Sequence, residues 1–284
     1  MAAFSNQATL TYNQTSVSSN VVTGEIIEVL SITKNALADS YSSGSEITYV
    51  LNLVNSGTVP FTDVTVTDDL GAYTFGTQTL VPLDYVEGSE RYFVNGELQT
   101  ESAAQVSGGV LTVSGISVPA NGNSQIMYQT RVNSFAPLSE NSTITNTASA
   151  QNGNAAAVTA SETVAVSGDP ILSIVKAVSP STVPENGTLT YTFTISNTGN
   201  TAADAADNVS VTDIFSPVLD ITEVTLNGTP LSQGTGYTYD QTTGEFATVP
   251  GGITVDAASY TQDPTTGEYS VIPGTAVLTV TGTV

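Results

Sequence analysis

Two lysines, Lys34 and Lys176, carry the only side-chain amines in the sequence, and they stand in the same local pattern. Leu30, Ile32 and Lys34 fall at i, i+2 and i+4, as do Leu172, Ile174 and Lys176. On an extended strand such residues share one face. Leu and Ile face a core, so each lysine is expected to point inward with them. The same spacing places Asp68 with Val64 and Val66, and Asp213 with Val209 and Val211. It places Asn146 with Ile144 and Ala148, and Asn6 with Phe4 and Ala8. A Lys, an Asp and an Asn are therefore each expected to face inward. A lone buried Lys or Asp is costly, so these groups must pair or be neutral.

The trio could make an amide. Desolvation lowers the pKa of a lysine and raises that of an aspartic acid. A neutral amine can attack an Asn side-chain carbonyl while a protonated Asp polarises it and shuttles protons, and ammonia leaves. Rigid placement supplies much of the acceleration. The expected assignments are Lys34 with Asn146 and Asp68 inside one domain, and Lys176 and Asp213 with Asn6 of another molecule. Asp68 and Asp213 would be the proton shuttles. The bond forms once, so this is self-processing and not enzymatic turnover. Two simpler readings stand beside it: a buried Lys–Asp ion pair with Asn as hydrogen-bond partner, or a lysine at a strand end whose amine reaches water. Asp69 alternates away from Asp68 and is expected to face solvent. Glu46 has Thr188 as its counterpart and is a poorer acid.

The elements that position these groups come from an internal repeat. Leu30–Lys34 matches Leu172–Lys176, and Ile47–Gly57 matches Leu189–Gly199, both 142 residues on. Val64–Asp68 matches Val209–Asp213, 145 residues on. Val118-Pro119 and Ile126–Val132 match Ile272-Pro273 and Leu278–Val284. Each block alternates apolar and polar residues, the period of a half-buried strand. Asn-Gly pairs at 95–96, 121–122, 152–153, 186–187 and 227–228 signal turns. This predicts an all-β chain of two tandem immunoglobulin-like β-sandwiches with an N-terminal donor strand. The expected divisions are an arm at 1–29, a complete domain 1 at 30–168, and a domain 2 at 169–284 that lacks its closing strand.

Phe4–Leu10 repeats the pattern of Ile144–Ala150, the strand expected to close domain 1. A polar loop and a Val-rich strand, Val21–Val29 or Val158–Val166, follow in each case. The arm thus relates to domain 1 as residues 141–171 relate to domain 2. Phe4, Asn6, Ala8 and Leu10 are the expected donor residues, entering domain 2 of the next molecule by strand addition. The arm could instead be a loose leader, fold on domain 1, or close its own domain 2.

The sets Lys34, Tyr49–Gly57, Val64–Asp68 and Asn146–Ala148, and Lys176, Tyr191–Gly199 and Val209–Asp213, resemble the bacterial surface repeat called domain of unknown function eleven. The resemblance covers nearly the whole chain. Paired repeats in a chain of this size also resemble subunits of spore appendages from anaerobic spore-formers. Such subunits are made inside the mother cell, which would suit an N-terminus without a basic and then apolar leader. The trio matches the spontaneous isopeptide chemistry of sandwich domains in bacterial surface fibres. The resemblance implies a structural, head-to-tail surface fibre whose principal partner is itself, with an anchoring protein besides. A surface adhesin, a carbohydrate-binding module or a passive stalk built on the same sandwiches is the alternative.

Composition excludes other classes. With no His and no Cys, disulfides, Cys/His zinc sites and His-based catalysis are out. A net charge of −22 with four Lys and Arg argues against nucleic acid and anionic membranes. No apolar run reaches the roughly 18–20 residues of a membrane span. No cofactor and no metal is expected; Asp63, Asp204 and Asp207 offer oxygens for calcium without a recognised loop spacing. Tyr92-Phe93 and Tyr237/Tyr239 could contact a ligand, but are expected in cores or cross-strand pairs.

Overall fold

The computed structural model describes residues 2–26, 29–100, 103–153 and 155–284. It is all-β: a single three-residue 3-10 turn, Ala205–Asp207, is the one helical element among the described residues. Two hydrophobic cores are present, one built from residues of 30–166 and the other from residues of 183–284.

Domain 1 is a sandwich of two sheets. The lysine strand Leu30–Ala36 lies at the edge of the first sheet. The tyrosine strand Glu46–Asn55 and then Gly122–Val132 follow it. The second sheet seats the aspartate strand Phe61–Asp68 between Val110–Val118 and the closing strand Thr143–Asn152. The flanking strand Val158–Val166 lies outside the closing strand and packs against the lysine strand of the other sheet, shutting that side of the sandwich. Burial alternates along Glu46–Asn55 and Gly122–Val132 with a period of two, the two-faced signature of a sandwich strand. Tyr49, Leu51, Leu53, Val66 and Ile126 fill the interior.

Domain 2 repeats the first sheet as Leu172–Ser179, Thr188–Asn197 and Gly274–Thr283, continued by Asp220–Leu226. Its second sheet has three short strands, Thr212–Ile214, Glu245–Thr248 and Tyr237–Tyr239. Thr212–Ile214 is an edge: among the described residues nothing pairs with it where the closing strand lies in domain 1. The hairpin Ser259–Gln262 and Tyr269–Ile272 leans back on domain 1. Tyr260 and Val271 pack on its core, and the Tyr269 N–H donates to the Ser134 carbonyl at 2.7 Å.

The Asn-x-Gly motif has one structural cause in both domains. Asn55 and Asn197 are buried, their side-chain oxygens accept the N–H of Gly57 and Gly199 at 2.9 Å, and their amides bond backbone carbonyls of two further segments. Each asparagine ties the strand end to the loops above it. Asn95-Gly96 and Asn227-Gly228 both hold positive φ in tight hairpin turns.

The arm is a ribbon. Ala2–Asn6 pairs with Val22–Ile26, and Thr9–Tyr12 pairs with Thr15–Ser18. A hairpin thus stands where the sequence suggests a polar loop. Its turn residues, Asn13 and Gln14, both have positive φ. Of the expected Val-rich strand Val21–Val29, Val22–Ile26 is strand, while Ile27 and Glu28, like Met1, lie outside the described residues.

Candidate functional site

In domain 1, Lys34, Asp68 and Asn146 come from three strands and meet in the core, each buried. Lys34 Nζ donates to Asp68 Oδ2 and, at 3.1 Å, to the Tyr128 hydroxyl. Tyr128 donates in turn to Asp68 Oδ2 at 2.6 Å and accepts from Asn146 Nδ2 at 3.5 Å. One phenol therefore touches the amine, the carboxylate and the amide. The Asn146 carbonyl oxygen accepts the Gly71 N–H at 3.2 Å. Gly71 has φ +75, and a Cβ there would lie 2.7 Å from Ile144, so the donor's position calls for glycine. The lysine also sits over the ring of Tyr49, 4.7 Å from its centroid. The Tyr49 hydroxyl is the one buried side-chain polar atom among the described residues without a hydrogen-bond partner.

The electrostatics follow from dehydration. Burial holds the Lys34 amine below its ordinary pKa, against the pull of the Asp68 charge. Burial also raises Tyr128 well above its ordinary value, with the Asp68 charge adding to it, and raises Tyr49, opposed by the Asn146 side chain. Both phenols therefore keep their protons, and Tyr128 donates its own to Asp68.

Asp69 does not face solvent as alternation suggests. It is half-buried, and its carboxylate accepts the N–H of Gly71 and Thr147, both at 2.9 Å. The aspartate strand ends at Asp68, and Leu70 and Gly71 turn with positive φ, so the two-residue period stops there. Asp69 thereby latches the closing strand to the turn that carries the Gly71 donor.

In domain 2 Lys176 pairs with Asp213. The lysine lies over Tyr191, 4.6 Å from its centroid, and near Phe193 and Phe215. Val280 stands opposite Tyr191 as Tyr128 stands opposite Tyr49, so the bridging phenol is missing. The pair is also uncovered: the Lys176 and Asp213 side chains are 42% and 18% exposed, against 0% and 1% for Lys34 and Asp68. Every residue of Leu172–Ser179 is exposed, Ile174 and Val175 among them.

Asn6, on the first arm strand, is exposed and opposite Val22, away from Lys176 within the described contacts. Phe4, Ala8 and Leu10 are exposed too. Asp204 and Asp207 cap the 3-10 turn reciprocally, and no cluster of three potential metal ligands occurs among the described residues. Tyr92 is buried with its hydroxyl on the Ser117 carbonyl, and Tyr237 and Tyr239 pack with Phe246 and Phe215 in the second core. Among the described residues no helix is long and apolar enough to cross a membrane.

No protein-family model matches the chain, and no curated protein matches it. Solved structures are similar in strand architecture. The major pilin subunit of Bacillus cereus is 14% identical with a TM-score of 0.35, over 96% of this chain and 73% of its own. The pilus backbone from Streptococcus pneumoniae is 12% identical with a TM-score of 0.35, over 86% of this chain and 55% of its own. The collagen-binding domain from a Staphylococcus aureus adhesin is 14% identical with a TM-score of 0.31, over 50% of this chain and 99% of its own.

Proposed function

We propose that the protein is the subunit of a self-assembling surface fibre, polymerising head-to-tail by donating its first arm strand to domain 2 of the next molecule. The observation that carries this reading is the unfinished state of domain 2. Its Lys176–Asp213 pair and the edge Thr212–Ile214 stand uncovered where domain 1 seats Asn146. An open strand edge beside exposed apolar residues is a template for an added strand. Phe4, Asn6 and Ala8 carry the inward pattern of Ile144, Asn146 and Ala148.

Each trio then makes one amide. In domain 1 the neutral Lys34 amine attacks Cγ of Asn146, and Asp68 takes the amine proton. The Gly71 N–H holds the oxygen on which negative charge grows. Tyr128, bonded to all three groups, passes a proton toward Nδ2. The Nζ–Cγ bond forms, the Cγ–Nδ2 bond breaks, and ammonia leaves. At the junction Lys176 attacks Cγ of the donor's Asn6, and Asp213 takes the amine proton and returns it to the leaving Nδ2, because Val280 stands at the place of the phenol; the Nζ–Cγ bond forms and ammonia leaves. The expected product is a fibre stapled within each subunit and between subunits, placed at a cell or spore surface with an anchoring protein at its base.

Electron microscopy of the pure chain tests the reading. Fibres should form without other components and disappear when residues 2–10 are deleted. A chain that stays monomeric at high concentration with its arm intact would overturn assembly and leave the adhesin reading, to be pursued with glycan and collagen binding.

A further inference from the structure

We infer that the arm docks as a two-stranded unit, so that its second strand, Val22–Ile26, supplies the flanking strand absent from domain 2 among the described residues. The inference rests on the strand donation proposed above and extends it from one strand to two.

The register argues for it. In domain 1 the closing and flanking strands pair as Thr143↔Ala165, Ile144↔Val164, Thr145↔Thr163 and Asn146↔Glu162. In the arm the pairs are Ala3↔Glu25, Phe4↔Gly24, Ser5↔Thr23 and Asn6↔Val22. Subtracting 140 from both numbers of each of these four domain 1 pairs gives the arm pair; past Asn6 the ribbon shifts, and Ala8 bonds Ser19. A slip of one residue would turn every side chain to the other face, so a shared register means a shared inward face. The ribbon is already formed in the isolated chain with Asn6 at the Asn146 position. The side chains complement one another as well. Ile144 and Val164 form a buried cross-strand pair in domain 1. At that pair the arm has Phe4 and Gly24, with the Phe4 ring so close over Gly24 that a Cβ there would lie 2.4 Å from it. A large residue and a glycine replace two middle-sized ones.

Domain 2 has the receiving surface. In domain 1 the flanking strand packs against the lysine strand and pairs in parallel with Ser40-Tyr41, as Ala165↔Ser40 and Val166↔Tyr41. The equivalent residues of domain 2 are Thr182 and Val183. The Gly187 N–H to Pro184 and Val284 N–H to Gly187 bonds repeat those of Ser45 to Ser42 and Val132 to Ser45. Thr182 and Val183 belong to no strand among the described residues, and Val183 borders a groove with Pro217 and Val284. Ile32, under the flanking strand, is 8% exposed, whereas its counterpart Ile174 is 53% exposed. One donated strand would fill the edge at Thr212–Ile214 and leave Ile174 wet. A donated pair covers both.

The chain has no cysteine, so paired cysteines report the contact without background. Chains bearing Glu25→Cys are co-expressed with chains bearing Thr182→Cys, both exposed positions, and oxidised; the linked peptides are read by mass spectrometry. A disulfide joining position 25 of one chain to position 182 of another is expected. Fibres joined through Asn6 and Lys176 but lacking that disulfide would overturn the two-strand docking and leave strand donation standing. A disulfide that forms only when both cysteines are on one chain would place the arm on its own domain 2 and overturn both. As a second readout, Ile174→Cys should react with maleimide at least tenfold more slowly in fibres than in chains lacking residues 2–10. Equal rates in assembled fibres would again reject the second strand.

Discussion

The two domains hold the same lysine and aspartate in two states of completion. In domain 1 the pair is sealed under a closing strand and a flanking strand, with an amide, two phenols and a backbone N–H arranged around it. In domain 2 the pair sits at the surface over aromatic rings, without amide, bridging phenol or covering strands among the described residues. A buried ion pair repays its dehydration only when its remaining valences are met. Asp68 meets that condition through Tyr128 and the Leu70 N–H at 3.0 Å. Among the described residues Asp213 accepts only from Lys176 and, at 2.9 Å, from the Ile214 N–H, with no phenol bonded to it. The same strand motif thus stands sealed in domain 1 and uncovered in domain 2, and on the proposed reading the first is a staple and the second a receptor.

The comparison can be broken most sharply at its asparagines. Asn6→Ala should abolish every covalent link between subunits and leave the bond inside domain 1. Asn146→Ala should do the reverse, and intact masses after boiling distinguish the two. A next, smaller contrast is stability. Lys34→Ala strands the Asp68 charge in the core and should destabilise domain 1 by about 3–5 kcal/mol, beyond the loss of its cross-link. In chains lacking residues 2–10, Lys176→Ala removes a half-exposed pair and should cost about 0–1 kcal/mol. Urea unfolding of the two variants checks both figures. Equal losses would mean that the domains are not in different states.

Tyr128→Phe should slow bond formation in domain 1 by about 10²-fold, the lower range for a positioned acid–base group. The junction, with Val280 at that place, should keep its rate. A time course of ammonia loss after refolding reads both. The smallest expected effect is in pH. Burial lowers the Lys34 pKa, so the neutral amine accumulates earlier than in a free lysine, and domain 1 closure should accelerate with pH and level off before the ordinary lysine value of 10.5. In Asn146→Ala, which retains the amine, the folded state binds fewer protons than the unfolded chain between the two pKa values. Stability should therefore rise with pH through that window.

Much of the fold was legible because period-two alternation runs unbroken through the strands that matter, from Leu30 to Lys34 and from Ile144 to Ala150. The same alternation sets Lys34, Asp68 and Asn146 facing inward. It fails at Asp69, where the strand stops and the chain turns through Leu70 and Gly71. Tyr128 was invisible to a comparison of repeats because its counterpart is Val280, and the Gly71 donor is a backbone group with no side-chain signature. Tyr49 was part of a recognised motif, but the sequence assigned it no role beside Lys34. The arm's inner hairpin escaped because its turn, Asn13-Gln14, takes positive φ without a glycine. A register match between ribbons is a property of pairing, which sequence spacing alone does not contain.

The most direct test of the central claim is denaturing electrophoresis of the boiled, purified chain, with peptide mapping of each band. The account predicts a ladder at multiples of 29.1 kDa. Each amide formed should remove about 17 Da as ammonia, and a cross-linked peptide should join Lys176 of one subunit to Asn6 of the next. A single band at the full monomer mass, taken from preparations that contain fibres, would contradict covalent joining at both sites and reduce the two trios to ion pairs.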